Sequence, residues 1–313
     1  MIKKTCVMLG DELADYHFGE NHPFGPKRYW AFKTEFELRE LNKKVTLYPP
    51  QQATREQLSL FHTQDYINKV KRLSDIGEGF LDCGDTPARK GIYESALYVV
   101  GTTLKALDHI MQGDCKHAFT PIGGIHHSRR DRAAGFCVFN DCGIAIEYLR
   151  KKYNVQRIAY VDIDAHHGDG VFYEFEDDAD LCFVDFHQDG ASLYPGTGFI
   201  NETGKGKAAG TKLNIPLSAN STDKTALAFW NSAEAFIEKF KPEFILLQCG
   251  ADSLAGDPIT QLKLSSHFHA HVAKRLSLLA DKFCQGRLLA MGGGGYNLNN
   301  IKMAWNDVIE ELM

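Results

Sequence analysis

The stretch Tyr160–Gly170, YVDIDAHHGDG, places three aspartates and two histidines in the eight positions from Asp162 to Asp169, directly after the apolar run RIAYV. A short, apolar, β-branched run of this kind reads as a strand buried on both faces. An isolated charge is costly to desolvate, so acids and imidazoles emerging from such a strand need a partner or a metal. In extended backbone, side chains at i, i+2 and i+4 share one side, and Asp162, Asp164 and His166 can converge on one point as the strand runs out.

The same pattern recurs along the chain. CVML, KVTLY, HAFTPIGG, LCFVDF, KLNIPL, FILLQCGAD and RLLAMGGGG are short apolar runs that, with RIAYVDID, predict eight strands. Between them ESALYVVGTTLKALDHIM, CGIAIEYLRKKY, TALAFWNSAEAFIEKF and HFHAHVAKRLSLLADKF carry apolar residues at helical spacing. Strands that are apolar throughout and alternate with helices predict one α/β domain over residues 1–313, a three-layer αβα arrangement with a mainly parallel central sheet.

In such sheets ligands bind beyond the carboxyl ends of the strands. His126 and His127 follow one run, Asp162, Asp164 and His166 a second, Asp185 and His187 a third, Asp252 a fourth, and the glycines up to Tyr296 a fifth. Two carboxylates and an imidazole drawn from the Asp162–His166 stretch and the strand at Asp252 make an open three-ligand site for a metal that takes mixed N/O donors. That is the arrangement of catalytic rather than structural zinc. A polar cap on the sheet would account for a lone D-x-D or a lone H-H, but not for the joint pattern.

Composition narrows the partners. A hydrophobic share of 44% suits an ordinary globular core, and a net charge of -5 with scattered Lys and Arg leaves no electrostatic footprint for nucleic acid. No apolar segment approaches the ~18 residues of a membrane span. The N-terminal apolar run is too short, and too quickly followed by acids, for a secretory signal. The chain is therefore expected to be cytoplasmic, with no membrane or nucleic-acid partner. Its eight cysteines lack any C-x-x-C pair and read as reduced core thiols. NETGKGKAAGTK, Asn201–Lys212, reads as a mobile surface loop, because its spacing matches no phosphate cradle. HFHAH, His267–His271, reads as solvated helix histidines, EFEDDAD as a solvated acidic turn, and His22 and His187 as structural.

The ordered motifs HPFGPKR (His22–Arg28), GDTPARKGIYESA, GGIHHSRRDRAAGFCVFND, YVDIDAHHGDGV, YPGTG, LLQCGADSLAGDP and MGGGGYN resemble those of the histone deacetylase family. Within the arginase/deacetylase fold they are most similar to bacterial acetoin-utilisation-type deacetylases, over nearly the whole chain. The resemblance implies that Asp164, His166 and Asp252 are ligands of Zn2+, with Fe2+ as the alternative. It implies that His126 and His127 are active-site histidines oriented by Asp162 and Asp169, and that Tyr296 is a transition-state tyrosine made mobile by its glycine run. Gly135, Phe136 and Tyr194 would line an acyl-lysine channel, with Gly294 beside it and Asp85 and Ile259 at its rim. Arg28 would lie near an inner acetate-release cavity. A structural K+ or Na+ is implied near Asp162, Asp164, His166, Asp185 and Phe186. The chain departs from the family in having Tyr194 where Phe is commoner and Asp185 where many relatives have Ser.

The expected reaction is metal-assisted amide hydrolysis, with His127 as general base and then acid and Tyr296 as oxyanion donor. The expected substrate is acetyl-lysine in a protein or peptide. Its rival is a small acetylated amine such as an acetylpolyamine, whose selective relatives place Glu after the G-D-P turn where Ile259 stands here. An arginase-like manganese hydrolase is disfavoured by the tandem histidines and GGGGY, and a non-catalytic acyl-lysine binder by retention of Tyr296, His127 and every ligand.

Overall fold

The computed structural model describes residues 4–313. All eight apolar runs form strands: β1 (Thr5–Met8), β2 (Thr46–Tyr48), β3 (His117–Thr120), β4 (Ile158–Asp162), β5 (Leu181–Gln188), β6 (Lys212–Leu217), β7 (Phe244–Gln248) and β8 (Leu288–Met291). They join in one sheet of order β2-β1-β3-β8-β7-β4-β5-β6. Every pairing is parallel, where the sequence reading expected a mainly parallel sheet. Every residue of β1, β3, β4, β5, β7 and β8 is buried, as continuous apolar runs covered on both faces require.

Helices α1 (Lys27–Leu38), α2 (Arg55–Leu58), α3 (Gln64–Ile76), α4 (Ile92–Gln112), α5 (Asp141–Tyr153), α6 (Asp169–Phe172), α7 (Asp223–Phe240), α8 (Ser266–Phe283) and α9 (Leu298–Leu312) connect the strands. α1 packs on α9, α9 on α8 and α8 on α7, while α3 and α5 pack on α4. The sequence reading anticipated α4, α5, α7 and α8 but not α1, α9, α3 or the single turns α2 and α6. The signal was present in α9, whose Ile301, Ala304, Trp305, Val308, Ile309 and Leu312 are buried at helical spacing. Its last turn is fastened to the sheet, since Thr5 Oγ1 and His117 Nδ1 both donate to Leu312 O.

Three surface expectations change. Seven cysteines are buried, but Cys83 is exposed. His269 is buried and its Nε2 donates to Gly250 O at 2.8 Å, whereas His267 is exposed; two positions along a helix turn the side chain to the opposite face. The Asn201–Lys212 segment is tied down rather than loose. The Glu202 carboxylate accepts from the backbone N–H groups of Gly198 and Phe199, Lys205 N donates to Glu176 O, and Lys212 begins β6 as a buried residue. Among the described residues no helix is long and apolar enough to cross a membrane.

Candidate active site

Four neighbouring strands end on one row, and a fifth, β5, crosses it. Thr120 of β3 pairs with Met291 of β8, Met291 with Gln248 of β7, Gln248 with Asp162 of β4, and Asp162 with Asp185 of β5. In-register parallel strands turn these side chains to one face, so Gln248, Asp162 and Asp185 form a buried polar row. The chemistry lies a few residues beyond it: His126 and His127 after β3, Asp164 and His166 after β4, Asp252 after β7, Tyr296 after β8. Asp185 differs, lying within β5 rather than beyond its end.

The histidine loop is held by the start of α5. The Asp141 carboxylate accepts from Gly124 N (3.1 Å), Ile125 N (2.7 Å) and Thr103 Oγ1 (2.6 Å). Asn140 caps α5 with Oδ1 while its Nδ2 donates to Ser128 O at 2.8 Å. His126 Nδ1 donates to Asp162 Oδ2 at 2.8 Å, and His127 Nδ1 to Asp169 Oδ1 at 2.7 Å. Tyr160 OH also donates to Asp162, and Arg129 to Asp169. Burial would strip the proton from His126, but Asp162 and Asp164 outweigh it and hold the imidazolium up to about 9. Burial and the charge on His126 push His127 down to about 4. His127 is thus neutral at neutral pH, with Nδ1–H committed to Asp169 and Nε2 accepting from His126 Nε2 at 3.1 Å.

Asp164, His166 and Asp252 are the only group of three or more His, Cys, Asp or Glu among the described residues with donor atoms close enough to share an ion, all within 4.8 Å of one another. His166 Nδ1 lies 3.1 Å from both Asp164 Oδ1 and Asp252 Oδ2. Although burial opposes it, these two carboxylates raise His166 to about 10. Two carboxylates and an imidazole at this spacing fit a metal ion, which would take the place of the proton. Gln248 Nε2 and Gly294 N both donate to Asp164 Oδ2 and orient it.

Above the triad runs a channel of about 300 Å3 lined by Asp85, His127, Gly135, Phe136, His166, Leu193, Tyr194, Ile259 and Tyr296. Every sequence-predicted wall and rim residue is in it except Gly294, which lines a smaller cavity of about 20 Å3 beneath. At Gly135 (φ +54°) a Cβ would stand 2.5 Å from His127 Cδ2, so only glycine fits. Phe136 takes a left-handed φ of 65°. It is held there because its N–H donates to Thr86 Oγ1 and its carbonyl accepts from Tyr16 OH.

The glycine run also lets the backbone pack closely against the site. A Cβ at Gly294 would stand 2.2 Å from Asp252 Oδ2, and one at Gly292 2.2 Å from Pro121 O, so the glycines permit close approach. The loop is fastened at each step: Arg28 Nε donates to Gly295 O at 2.7 Å, Arg28 Nη2 to Gly293 O, and Tyr296 N to Asp257 Oδ2 at 2.8 Å. The backbone that carries Tyr296 is thus hydrogen-bonded on both sides of the residue, a restraint to set beside the mobility expected from the glycine run. Burial, with Asp252 adding to it, raises the Tyr296 phenol well above its usual value, which keeps it a hydrogen-bond donor. Arg28 lies behind this loop and does not line the small cavity, which is bounded by Phe24, Cys137, Gly293 and Tyr296 among others. Sequence reasoning missed Asp141, Gln248 and Asp257 as organisers of the site. Their signal was weak, because nothing in the neighbouring sequence shows which distant backbone groups their side chains meet.

A model of the histone deacetylase domain matches residues 22–312. The acetoin utilization protein AcuC of Bacillus subtilis (strain 168) is 40% identical over 322 residues, covering 99% of this chain and 82% of that protein. AcuC of Staphylococcus xylosus is 34% identical, covering 100% and 83% respectively. The crystal structure of the HDA15 HD domain superposes with a TM-score of 0.91 at 24% identity, covering 100% of this chain and 88% of that one, and shares its fold.

Proposed function

The chain belongs to the histone deacetylase family, as a bacterial deacetylase of the acetoin-utilisation type, and on that premise we propose that it hydrolyses acetyl-lysine in proteins or peptides with Zn2+ held by Asp164, His166 and Asp252. The observation that carries the reading is the buried triad at the closed end of a channel whose wall includes a neutral His127 and the Tyr296 phenol. Zinc bound there supplies Lewis acidity toward the amide carbonyl and makes an attacking water acidic enough to ionise near neutral pH.

The residues of the chain divide the remaining work. His127, with its tautomer set by Asp169 so that Nε2 is the acceptor, takes the proton of the attacking water and returns it to the departing lysine amine. His126, held charged by Asp162, polarises and positions that water. Tyr296 donates to the oxygen that becomes negative in the transition state. Phe136 and Tyr194 exclude solvent from the aliphatic stem of the substrate, and Gly135 keeps the passage open beside His127. Asp85 at the rim accepts from the substrate backbone, which a small amine cannot offer. Arg28 acts by fixing the glycine loop. A K+ or Na+ beside Asp162, Asp164, His166, Asp185 and Phe186 belongs to the same proposal. The Asp185 carboxylate already accepts from His187 Nδ1 and Gly168 N, and the ion would be held mostly through backbone carbonyls.

The test is turnover on a panel of acetyl-lysine peptides, acetylated polyamines and longer acyl-lysines, with metal analysis of the purified protein. Highest kcat/KM on the peptides with one zinc per chain is expected. A preference for acetylpolyamines, or full activity without bound metal, would overturn the reading.

A further inference from the structure

Among the described residues Lys212, the first residue of β6, is the one buried lysine. Its Nζ donates to Asp178 O at 2.8 Å, Leu181 O at 2.7 Å and Thr211 Oγ1 at 2.9 Å. An ammonium has three N–H donors, and here three oxygens meet them. None of the three is a carboxylate oxygen. The nearby Asp178 carboxylate turns instead to the Arg150 guanidinium and to Asp180 N.

A buried charge normally recruits an opposite charge. Neutral carbonyl and hydroxyl oxygens that replace a hydration shell are the coordination by which proteins hold potassium, and ammonium is close to potassium in size. Burial lowers the Lys212 amine to about 8, opposed by Asp178, so it remains charged at neutral pH.

We infer that Asp178 O, Leu181 O and Thr211 Oγ1 form a monovalent-cation site whose occupant is the chain's own Lys212 ammonium. The tethered cation fastens the turn before β5 to the start of β6. β5 then runs on to Asp185 and His187 at the floor of the site, so the fastening sets the outer edge against which that floor is built.

Two substitutions test this. Lys212→Gly opens the cage, and Lys212→Met fills it without charge. The expected Tm of each is lower by about 5 °C. That of Lys212→Gly recovers in KCl or NH4Cl relative to N-methylglucamine chloride at equal ionic strength, after subtraction of the wild-type response, which removes any ion bound elsewhere. Lys212→Met recovers in neither salt. Lack of K+- or NH4+-specific recovery in Lys212→Gly, its failure to fold in all three salts, or wild-type stability of Lys212→Met would each overturn the inference. On the unaltered protein, competitive acetylation at pH 7 should label Lys212 about tenfold more slowly than exposed Lys205. Equal labelling would show that the ammonium is not caged.

Discussion

At the floor of the channel, Asp162, Asp164, Asp169 and Asp252 each accept two or more hydrogen bonds and are buried to 7% exposure or less. At the rim, Asp85 is exposed, Tyr194 retains 44% exposure, and the loop is organised chiefly by Asp82, whose carboxylate accepts from Gly84, Asp85 and Thr86 N–H groups. The floor is assembled from the ends of strands that the sheet places side by side, and the rim from loops that answer mainly to their own turns. Floor residues should therefore act on chemistry in an all-or-none way, and rim residues on substrate choice by degrees.

The largest effect expected is at the triad. Asp164→Ala or Asp252→Ala should abolish stoichiometric zinc and reduce turnover to background, because one of three protein ligands is gone. Tight zinc with retained turnover in either variant would break the comparison at its base. Next is Tyr296→Phe, with a loss of about 10²–10³-fold in kcat and unchanged zinc content, the cost of one oxyanion donor; a change confined to KM would move Tyr296 from the floor to the walls.

A smaller loss separates the fastened loop from a mobile one. Asp257→Asn removes an acceptor charge from the N–H groups of Tyr296 and Asn297, and kcat should fall about tenfold with zinc retained. No change would restore the mobile tyrosine that the sequence suggested.

The smallest effect is at the rim. Burial and the neighbouring Asp82 raise Asp85 to about 6. The carboxylate form is present above that value and is lost as pH falls through it. KM for a peptide should then rise below about pH 6 while KM for a short acetylated amine does not, and Asp85→Asn should flatten the difference at a cost of about tenfold in peptide kcat/KM. Equal pH dependence for both substrates would make the rim indifferent to the peptide backbone.

The two regions also differ in how legible they were. Eight strands could be read because each is a continuous apolar run, and the residues that follow them could be read because charge after such a run is conspicuous. The triad and the tandem histidines fall among those residues. The organisers Asp141, Gln248 and Asp257 were not read, because a single polar residue means nothing until its partners are known. Cys83 and His269 were placed on the wrong side of the surface for a related reason: local composition does not say which face a neighbouring element will cover.

Local pattern by itself determined that this chain is an α/β protein with acids and imidazoles near strand ends, since burial demands apolar residues on both faces of a parallel strand and concentrates charge toward its ends. It did not determine which ends meet. β7 and β8, the last strands in the chain, enter the middle of the sheet between β4 and β3. That insertion brings Asp252 to Asp164 and Tyr296 to the histidine loop across 88 and more than 160 positions of sequence. Strand order is chosen by the packing of the whole sheet and its helices, a sum of long-range contacts that no short window of residues contains. The fastening of the glycine loop by Arg28 and Asp257, and the caging of Lys212, are consequences of the same order.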